Sequence, residues 1–205
     1  MNVPNTLTIL RIVLCFPLFV CIALSYWELA LLFFCAASIT DFIDGWWARK
    51  FHQITVFGRI VDPFADKFLI CGTFICLLGI PQLIFAAPAM IPAFLKFQPW
   101  MVVVIVAREL LITTLRAVIE QSGGDFSAKW IGKWKMGLQC AAVIVCFLYL
   151  SFIRYEYGSL PWSLPFGLYI LWLILIWGTV IITLYSGISY TVRAVKVIAG
   201  AVNLK

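Results

Sequence analysis

Long apolar runs constrain the fold of this chain more than any other feature of its sequence. Each run is close to the roughly 20 residues that an α-helix needs to cross the hydrocarbon core of a bilayer. The runs cover approximately residues 7–27, 28–47, 60–80, 100–121, 129–153 and 166–190. With 64% hydrophobic and 12% charged residues, the chain is more apolar than soluble domains, which average about 45–50% and about 25%. We therefore expect an all-α, polytopic membrane protein with six transmembrane helices, folded as one domain over residues 1–205.

Prolines predict where the helical pattern is interrupted. Pro17 favours a kink in the first helix, because proline lacks the N–H that a helix interior requires. The prolines between residues 81 and 99 predict an interfacial connection rather than a continuous helix. Pro161 and Pro165 predict a break before the sixth helix, which is followed by a short basic tail.

The basic residues predict the orientation of the helices. Six spans place both termini on one side of the bilayer. If that side is cytoplasmic, it holds all of the 15 lysines and arginines except Lys96 and Arg154, as the positive-inside rule expects. We expect a multi-pass protein of the cell (inner) membrane with cytoplasmic termini. The opening residues do not read as a transit peptide, which favours a bacterial cytoplasmic membrane. The expected partner surface is the lipid bilayer and not nucleic acid.

Four of the nine acidic residues fall in one short segment. Asp41 and Asp44 are three apart at the end of the second helix, and Asp62 and Asp66 are four apart at the start of the third, so each pair shares a helix face. We expect the two helices to be antiparallel neighbours on which the four carboxylates converge. The alternative is a solvated loop with ordinary charges, but acids at membrane depth are usually functional.

Converging carboxylates in a medium of low dielectric need positive charge between them. Oxygen ligands suit Mg²⁺, Mn²⁺ or Ca²⁺, and two such ions about 4 Å apart would clamp the attacking and leaving oxygens of a phosphoryl group. The small residues Gly45, Ala48 and Gly58 either leave room for a ligand beside the carboxylates or let the helices pack closely.

The aspartates belong to a longer pattern, D-x2-D-G-x2-A-R-x8-G-x3-D-x3-D. The chain carries it at Asp41, Asp44, Gly45, Ala48, Arg49, Gly58, Asp62 and Asp66. This spacing resembles the signature of CDP-alcohol phosphotransferases, and the helical layout extends the resemblance over most of the chain. The resemblance implies a site at the cytoplasmic face that makes a phosphodiester lipid and CMP, in an enzyme that is commonly a homodimer.

The resemblance also assigns roles to residues of the pattern. Two Mg²⁺ or Mn²⁺ ions bound by Asp41, Asp44 and Asp62 would hold the CDP pyrophosphate. Asp66 would share a metal and act as general base for the acceptor hydroxyl. Contacts to the CDP-lipid would come from the remaining members of the pattern, Gly45, Ala48, Arg49 and Gly58.

Two further stretches resemble bacterial phosphatidylglycerophosphate synthases, which transfer a phosphatidyl group from CDP-diacylglycerol to glycerol 3-phosphate. One is the opening PNTLTILR, and the other is ARELLITTLR followed by WIGKWKMGLQ. In the first, Asn5, Thr8 and Arg11 repeat every three residues. They either line the nucleotide pocket or form an N-terminal cap with a snorkelling arginine.

A phosphate-bearing acceptor needs cations to receive it. Arg108 and Arg116 lie near one face of the fourth helix, and Lys133 and Lys135 begin the fifth at the same membrane side. We expect them to bind the acceptor phosphate. For lysines such as Lys135, anchoring to anionic lipid headgroups is an equal alternative. Arg108, deep in its helix, needs an anionic partner such as Glu109 or a bound phosphate.

Other functions fit parts of the same pattern. Within the family, the acceptor could be phosphatidylglycerol, inositol phosphate or serine, giving cardiolipin, phosphatidylinositol-phosphate or phosphatidylserine. A divalent-metal or proton-coupled transporter could also use intramembrane carboxylates as its ion site. The acids here lie toward one face, however, and the sequence has no detectable inverted repeat.

Overall fold

The computed structural model describes residues 3–50, 56–84, 91–121, 130–155 and 163–202, and every regular element in these ranges is helical. The α-helices are α1 (Val3–Ala23), α2 (Trp27–Lys50), α3 (Val56–Leu77), the single turn α4 (Pro81–Ile84), α5 (Pro99–Gln121), α6 (Trp130–Tyr155) and α7 (Ser163–Val202). A 3₁₀ turn, Ala93–Leu95, precedes α5. The all-α prediction is confirmed.

Three of the helices contain stretches that are long and apolar enough to cross a membrane. They are Asn5–Ala23 in α1, Trp134–Arg154 in α6 and Pro165–Val192 in α7. The helices α2, α3 and α5 have 24, 22 and 23 residues, but charged residues interrupt their apolar sequences. The chain is therefore a helical membrane protein whose charges are concentrated in α2, α3 and α5.

The first helix ends at Ala23, earlier than the apolar run predicts. Ser25 follows with a left-handed φ of 60°. The N–H of Tyr26 donates to the carbonyl of Cys21 at 2.8 Å, and that of Ser25 donates to the carbonyl of Ile22 at 3.1 Å. This pair of bonds is a Schellman cap, which satisfies carbonyls at a helix end. Sequence reasoning missed it because serine replaces the usual glycine.

The turn between α1 and α2 is tied to the far end of α6. The guanidinium of Arg154 donates to the carbonyl of Ser25 and lies 5.2 Å from the centroid of the Tyr26 ring. The Ser151 hydroxyl donates to the carboxylate of Glu28. These contacts join the turn between α1 and α2 to the C-terminal end of α6. They lie at an exposed position, at the opposite end of α2 from the aspartate pattern.

The last helix is longer than predicted and extends over 40 residues. It begins before Pro165, because proline is tolerated in a first helical turn, where its missing N–H would have no helical partner. It also continues through the expected basic tail. Tyr190 and Ala194 are buried there and pack with Ile112 and Ile119 of α5. At 1.5 Å per residue α7 is about 60 Å long, roughly twice the hydrocarbon thickness of a bilayer.

The other predicted boundaries agree with the structure to within a few residues, the usual uncertainty of helix ends. Pro17 lies inside α1. The proline-rich connection contains only the single turn α4 and the 3₁₀ turn among its described residues, so the prediction of an interrupted segment is confirmed there.

The packing order differs from the predicted one at α2 and α3. Among the described residues, α1 packs extensively against both helices, while α2 and α3 contact each other only slightly. On the other side of the molecule, α7 packs against α5 and α6, and α6 also meets α2. A buried core joins these helices, with the Phe34 and Phe147 rings edge-to-face at 6.2 Å. The predicted direct pairing of the two aspartate-bearing helices is thus replaced by contacts through α1.

Candidate functional site

Three carboxylates of the aspartate pattern approach one another, and we call them the acidic cluster: Asp41 of α2, and Asp62 and Asp66 of α3. The negative charges of Asp62 and Asp66 act on Asp41. All three side chains are half-buried on helices, so the solvated-loop alternative is wrong for them. The fourth aspartate, Asp44, lies on α2 with its side chain outside the described part of the structure.

Two side chains of α1 reach into the acidic cluster. The guanidinium of Arg11 lies 2.6 Å from Asp41, between Nη1 and Oδ1, and the arginine is fully buried. The Thr8 hydroxyl donates to Oδ1 of Asp62 at 2.5 Å, and Thr8 is also buried. The snorkelling alternative for Arg11 is therefore wrong. The three-residue spacing puts both side chains on one face of α1, with the half-buried Asn5 one turn earlier.

The charges of the acidic cluster favour a cation. Three carboxylates converge there, and one guanidinium is ion-paired with one of them. Excess negative charge in a partly buried place attracts hard cations, for which carboxylate oxygens are the preferred ligands. The donor set therefore fits Mg²⁺ or Mn²⁺. Among the side chains that the structure describes, no three acidic, histidine or cysteine residues are arranged so that they could hold a metal ion. Arg11 and Thr8 engage two of the aspartates instead.

A second group of polar side chains surrounds a cleft of about 110 Å³. We call it the cationic pocket. Its walls come from three helices, and its lining residues are Asp66, Lys67, Ile70, Arg108, Glu109, Lys135, Met136 and Gln139. Because Asp66 also belongs to the acidic cluster, the two groups meet at this one carboxylate.

Glu109 is the centre of the contacts in the cationic pocket. Its Oε1 is ion-paired with the ammonium of Lys135 and accepts a hydrogen bond from Nε2 of Gln139 at 3.3 Å. Its Oε2 accepts one from Nη1 of Arg108 at 3.4 Å. Glu109 is therefore the anionic partner that Arg108 needs. The Lys135 side chain is only 5% exposed, which does not suit a lysine reaching toward lipid headgroups.

The long helix α7 supports Arg108 from the other side. The guanidinium carbon of Arg108 lies 5.9 Å from the centroid of the Tyr190 ring, within cation–π distance. A Cβ atom on Gly187 would stand 3.3 Å from Cγ of Arg108, so a larger residue there would press on the arginine stem. The C-terminal half of α7 thus supports the pocket through Arg108.

The remaining predicted site residues are placed only in part. Gly58 is buried on α3, one turn before Asp62. The other residues lie on described helices, but their side chains are outside the described part of the structure: Gly45, Ala48 and Arg49 on α2, Arg116 on α5 and Lys133 on α6.

Sequence reasoning gave no site role to three polar residues that line the cationic pocket, namely Lys67, Glu109 and Gln139. Helical spacing carried a signal for one of them, because Gln139 is one turn beyond Lys135 and shares its face. Lys67 directly follows Asp66, but adjacency along a helix does not predict a shared cleft. The position of Glu109 between two helices had no signal in the local sequence.

Comparison with known proteins gives matches over most of the chain. Residues 1–185 match the family model described as CDP-alcohol phosphatidyltransferase. The chain is similar to proteins named CDP-diacylglycerol–glycerol-3-phosphate 3-phosphatidyltransferase. The one from Bacillus subtilis is 33% identical over 92% of this chain and 93% of its own. Those from Haemophilus influenzae and Escherichia coli K12 are 30% and 31% identical, over 92% and 83% of this chain and 91% and 90% of theirs.

Proposed function

The chain belongs to the CDP-alcohol phosphatidyltransferase family, and on that premise we propose that it transfers the phosphatidyl group of CDP-diacylglycerol to glycerol 3-phosphate, releasing CMP. Relatives similar over most of both chains are named for this transfer. The observation that carries the proposal is the position of Asp66. It interacts with Asp41 in the acidic cluster and lines the cationic pocket beside Lys135. The donor site and the site for an anionic acceptor would meet at Asp66, the residue best placed to move a proton.

The acidic cluster is the proposed metal site. Asp41, Asp62 and Asp66 supply carboxylate oxygens from two helices, and Asp44 belongs to the same sequence pattern. We expect two Mg²⁺ or Mn²⁺ ions, because one guanidinium offsets only part of the cluster's charge. When bound, such ions neutralise the donor pyrophosphate and stabilise the negative charge that develops at the reacting phosphoryl group.

The donor contacts surround this cluster. The proposed CDP-lipid contacts are Asn5, Thr8, Gly45, Ala48, Arg49 and Gly58. Thr8 is buried against Asp62, so it can orient that carboxylate as well as approach the nucleotide. Arg11, on the same face of α1 as Thr8, holds Asp41 in place.

The cationic pocket is the proposed acceptor site. Arg108 and Lys135 line it, and Arg116 and Lys133 lie on the same two helices; together they receive the acceptor phosphate. Asp66 in the pocket wall takes the proton from the acceptor hydroxyl. The oxygen of that hydroxyl bonds to the phosphorus of the phosphatidyl group, and the bond from this phosphorus to the CMP oxygen breaks.

Other acceptors of the family fit the pocket less well. A half-buried cleft with arginine and lysine in its wall favours an acceptor that brings a phosphate, which serine does not. Phosphatidylglycerol carries its phosphate within a lipid and does not need a second enclosed cationic site. Inositol phosphate shares the phosphate, but the names of the relatives favour glycerol 3-phosphate.

The membrane arrangement completes the proposal. With α2, α3 and α5 added to the three strongly apolar helices, six spans cross the bacterial cell (inner) membrane. Both termini then lie on its cytoplasmic side. Each added helix has 22 to 24 residues, enough to cross roughly 30 Å. The positive-inside excess places the site at the cytoplasmic face. We expect a homodimer.

Transfer of radiolabelled glycerol 3-phosphate tests the function. Purified protein in detergent is incubated with CDP-diacylglycerol and Mg²⁺, with and without glycerol 3-phosphate, and CMP and the lipid product are measured. We expect CMP release that depends on glycerol 3-phosphate and a labelled phosphatidyl product. Product formation with serine or inositol phosphate, and none with glycerol 3-phosphate, would contradict the acceptor assignment.

A further inference from the structure

We infer that Glu109 is a positioning residue of the acceptor site, whose carboxylate orients Lys135 and Arg108 toward an incoming phosphate. This inference rests on the proposed function of the cationic pocket. Its basis is that both oxygens of Glu109 are engaged by side chains of the pocket. Oε1 meets Lys135 and Gln139 from α6, and Oε2 meets Arg108 from its own helix α5.

The burial of these groups makes a local counter-ion necessary. Lys135 is 5% exposed and Arg108 is 12% exposed at the side chain. The positive charges of Arg108 and Lys67 both act on Lys135. Like charges this close in a medium of low dielectric repel each other, so a carboxylate among them is needed to hold the cations together.

Glu109 suits that task better than the other carboxylate of the pocket. Asp66 also acts on Lys135, but it interacts with Asp41 in the acidic cluster, so its charge is shared with the proposed metal site. Glu109 instead bridges α5 and α6 across the cleft and is itself largely buried. Its charge is therefore available to hold the two cations throughout the reaction.

The geometry allows a phosphate to bind without displacing Glu109. An ammonium has three N–H donors and a guanidinium has five, and each uses only part of this capacity on Glu109. Arg108 is also supported by Tyr190 and packed beside Gly187 of α7, so it has a second anchor besides Glu109. Loss of the Glu109 charge is therefore expected to affect Lys135 more than Arg108.

The test is the variant Glu109→Gln in the full-length enzyme in detergent. Glutamine keeps the size of the side chain and can still accept from Gln139, but it removes the charge. We expect the KM for glycerol 3-phosphate to rise by at least about tenfold, with a smaller change in kcat and no change in the KM for CDP-diacylglycerol. Glu109→Asp, which restores the charge on a shorter stem, is expected to lie between this variant and the unaltered enzyme.

Glu28→Gln is the matched control. It makes the same substitution at a carboxylate that accepts a hydrogen bond from Ser151, far from the pocket, and should leave both KM values unchanged. An unchanged acceptor KM in Glu109→Gln would overturn the inference. A lower one would also overturn it, because Glu109 would then compete with the phosphate. An equal rise for both substrates would indicate a purely structural role and contradict the inference as well.

A double variant covers the case in which Glu109→Gln does not fold. Removing both partners of a buried pair is tolerated better than removing one, so Glu109→Gln is combined with Lys135→Met. If Glu109 acts through Lys135, the double variant has the same acceptor KM as Lys135→Met alone. A small further rise through Arg108 is consistent with the inference, whereas a further rise of about tenfold or more would overturn it. Absence of transfer to glycerol 3-phosphate by the unaltered enzyme would instead overturn the proposed function, which separates the two failures.

Discussion

The acidic cluster and the cationic pocket are assembled in different ways. The aspartates of the cluster come from one continuous sequence pattern, Asp41 to Asp66, and α1 adds one arginine and one threonine. The pocket draws its walls from α3, α5 and α6, which are far apart in the sequence. On the proposed assignment, the donor site is encoded in one local segment, while the acceptor site depends on how distant helices pack. We therefore expect substitutions in the two regions to have separable effects.

Of the proposed changes, removal of divalent cations is expected to reduce activity most, and it tests the acidic cluster alone. The acidic cluster has more negative than positive charge among its described side chains, so it needs cations to bind a pyrophosphate. Excess EDTA should abolish CMP release, and Mg²⁺ or Mn²⁺ should restore it. Full turnover in excess EDTA would show that the carboxylates do not act through metal ions.

Substitution of Asp66, which the two regions share, is expected to separate the loss of turnover from the loss of CDP binding. Asp66→Asn should lower kcat by about 10²–10⁴-fold, the usual contribution of a general base, yet CDP should still bind in the presence of metal. Asp41→Asn should lose both turnover and binding, because Asp41 is expected to hold the ions that bind the pyrophosphate. Calorimetric titration with CDP, beside turnover, measures the two effects.

The same pair of variants can also disprove the division of labour. If Asp66→Asn and Asp41→Asn lose CDP binding equally, Asp66 is simply another metal ligand. The shared carboxylate would then belong to the acidic cluster alone, and the proton would have to leave the acceptor by another route.

Arg11 tests whether α1 is a structural part of the acidic cluster. Arg11→Ala leaves Asp41 without its buried partner, and breaking such a pair costs about 3 kcal/mol or more. We expect a lower unfolding temperature in detergent, and a smaller deficit when Mg²⁺ is present, because bound cations replace part of the lost charge. Arg154→Ala, which removes an exposed arginine at the α6 end, is the control. Equal destabilisation of the two variants would contradict a special role for Arg11.

Arg116 tests the reach of the cationic pocket and is expected to have the smallest effect. Arg116→Ala should raise the KM for glycerol 3-phosphate by roughly tenfold and change the KM for CDP-diacylglycerol less, because only the acceptor brings a free phosphate. Lys96→Ala, on the connection before α5, is the control. A rise confined to the CDP-diacylglycerol KM would place Arg116 in the donor site or among lipid headgroups.

The sequence predicted the helical membrane fold because apolar runs of spanning length leave few alternatives. The aspartate pattern is also legible in the sequence, with its eight fixed positions on α2 and α3, but the predicted direct packing of these two helices is wrong. The sequence did not predict the early end of α1, since the left-handed residue is Ser25 and not glycine, nor the continuation of α7, which depends on contacts of Tyr190 and Ala194 with α5.

Within the site, the least predictable features were contacts between helices. The alternatives for Arg11 were balanced until its contact with Asp41 was known. The central place of Glu109 could not be predicted from the sequence because its partner Lys135 lies on another helix, and local spacing carries no information on such pairs. Long-range packing, and not local propensity, decides these positions.

The position of α1 between α2 and α3 has a consequence for how the protein enters the bilayer. A growing chain presents Arg11 to the membrane a few seconds before Asp41, at about 5–20 residues added per second. A solitary arginine in hydrocarbon is costly, whereas a neutralised pair is far less so. The tight turn at Ser25 joins the two helices that carry this pair. Insertion of α1 and α2 together as a hairpin, with Arg11 and Asp41 already paired, is therefore the least costly first step in assembling the acidic cluster within the bilayer.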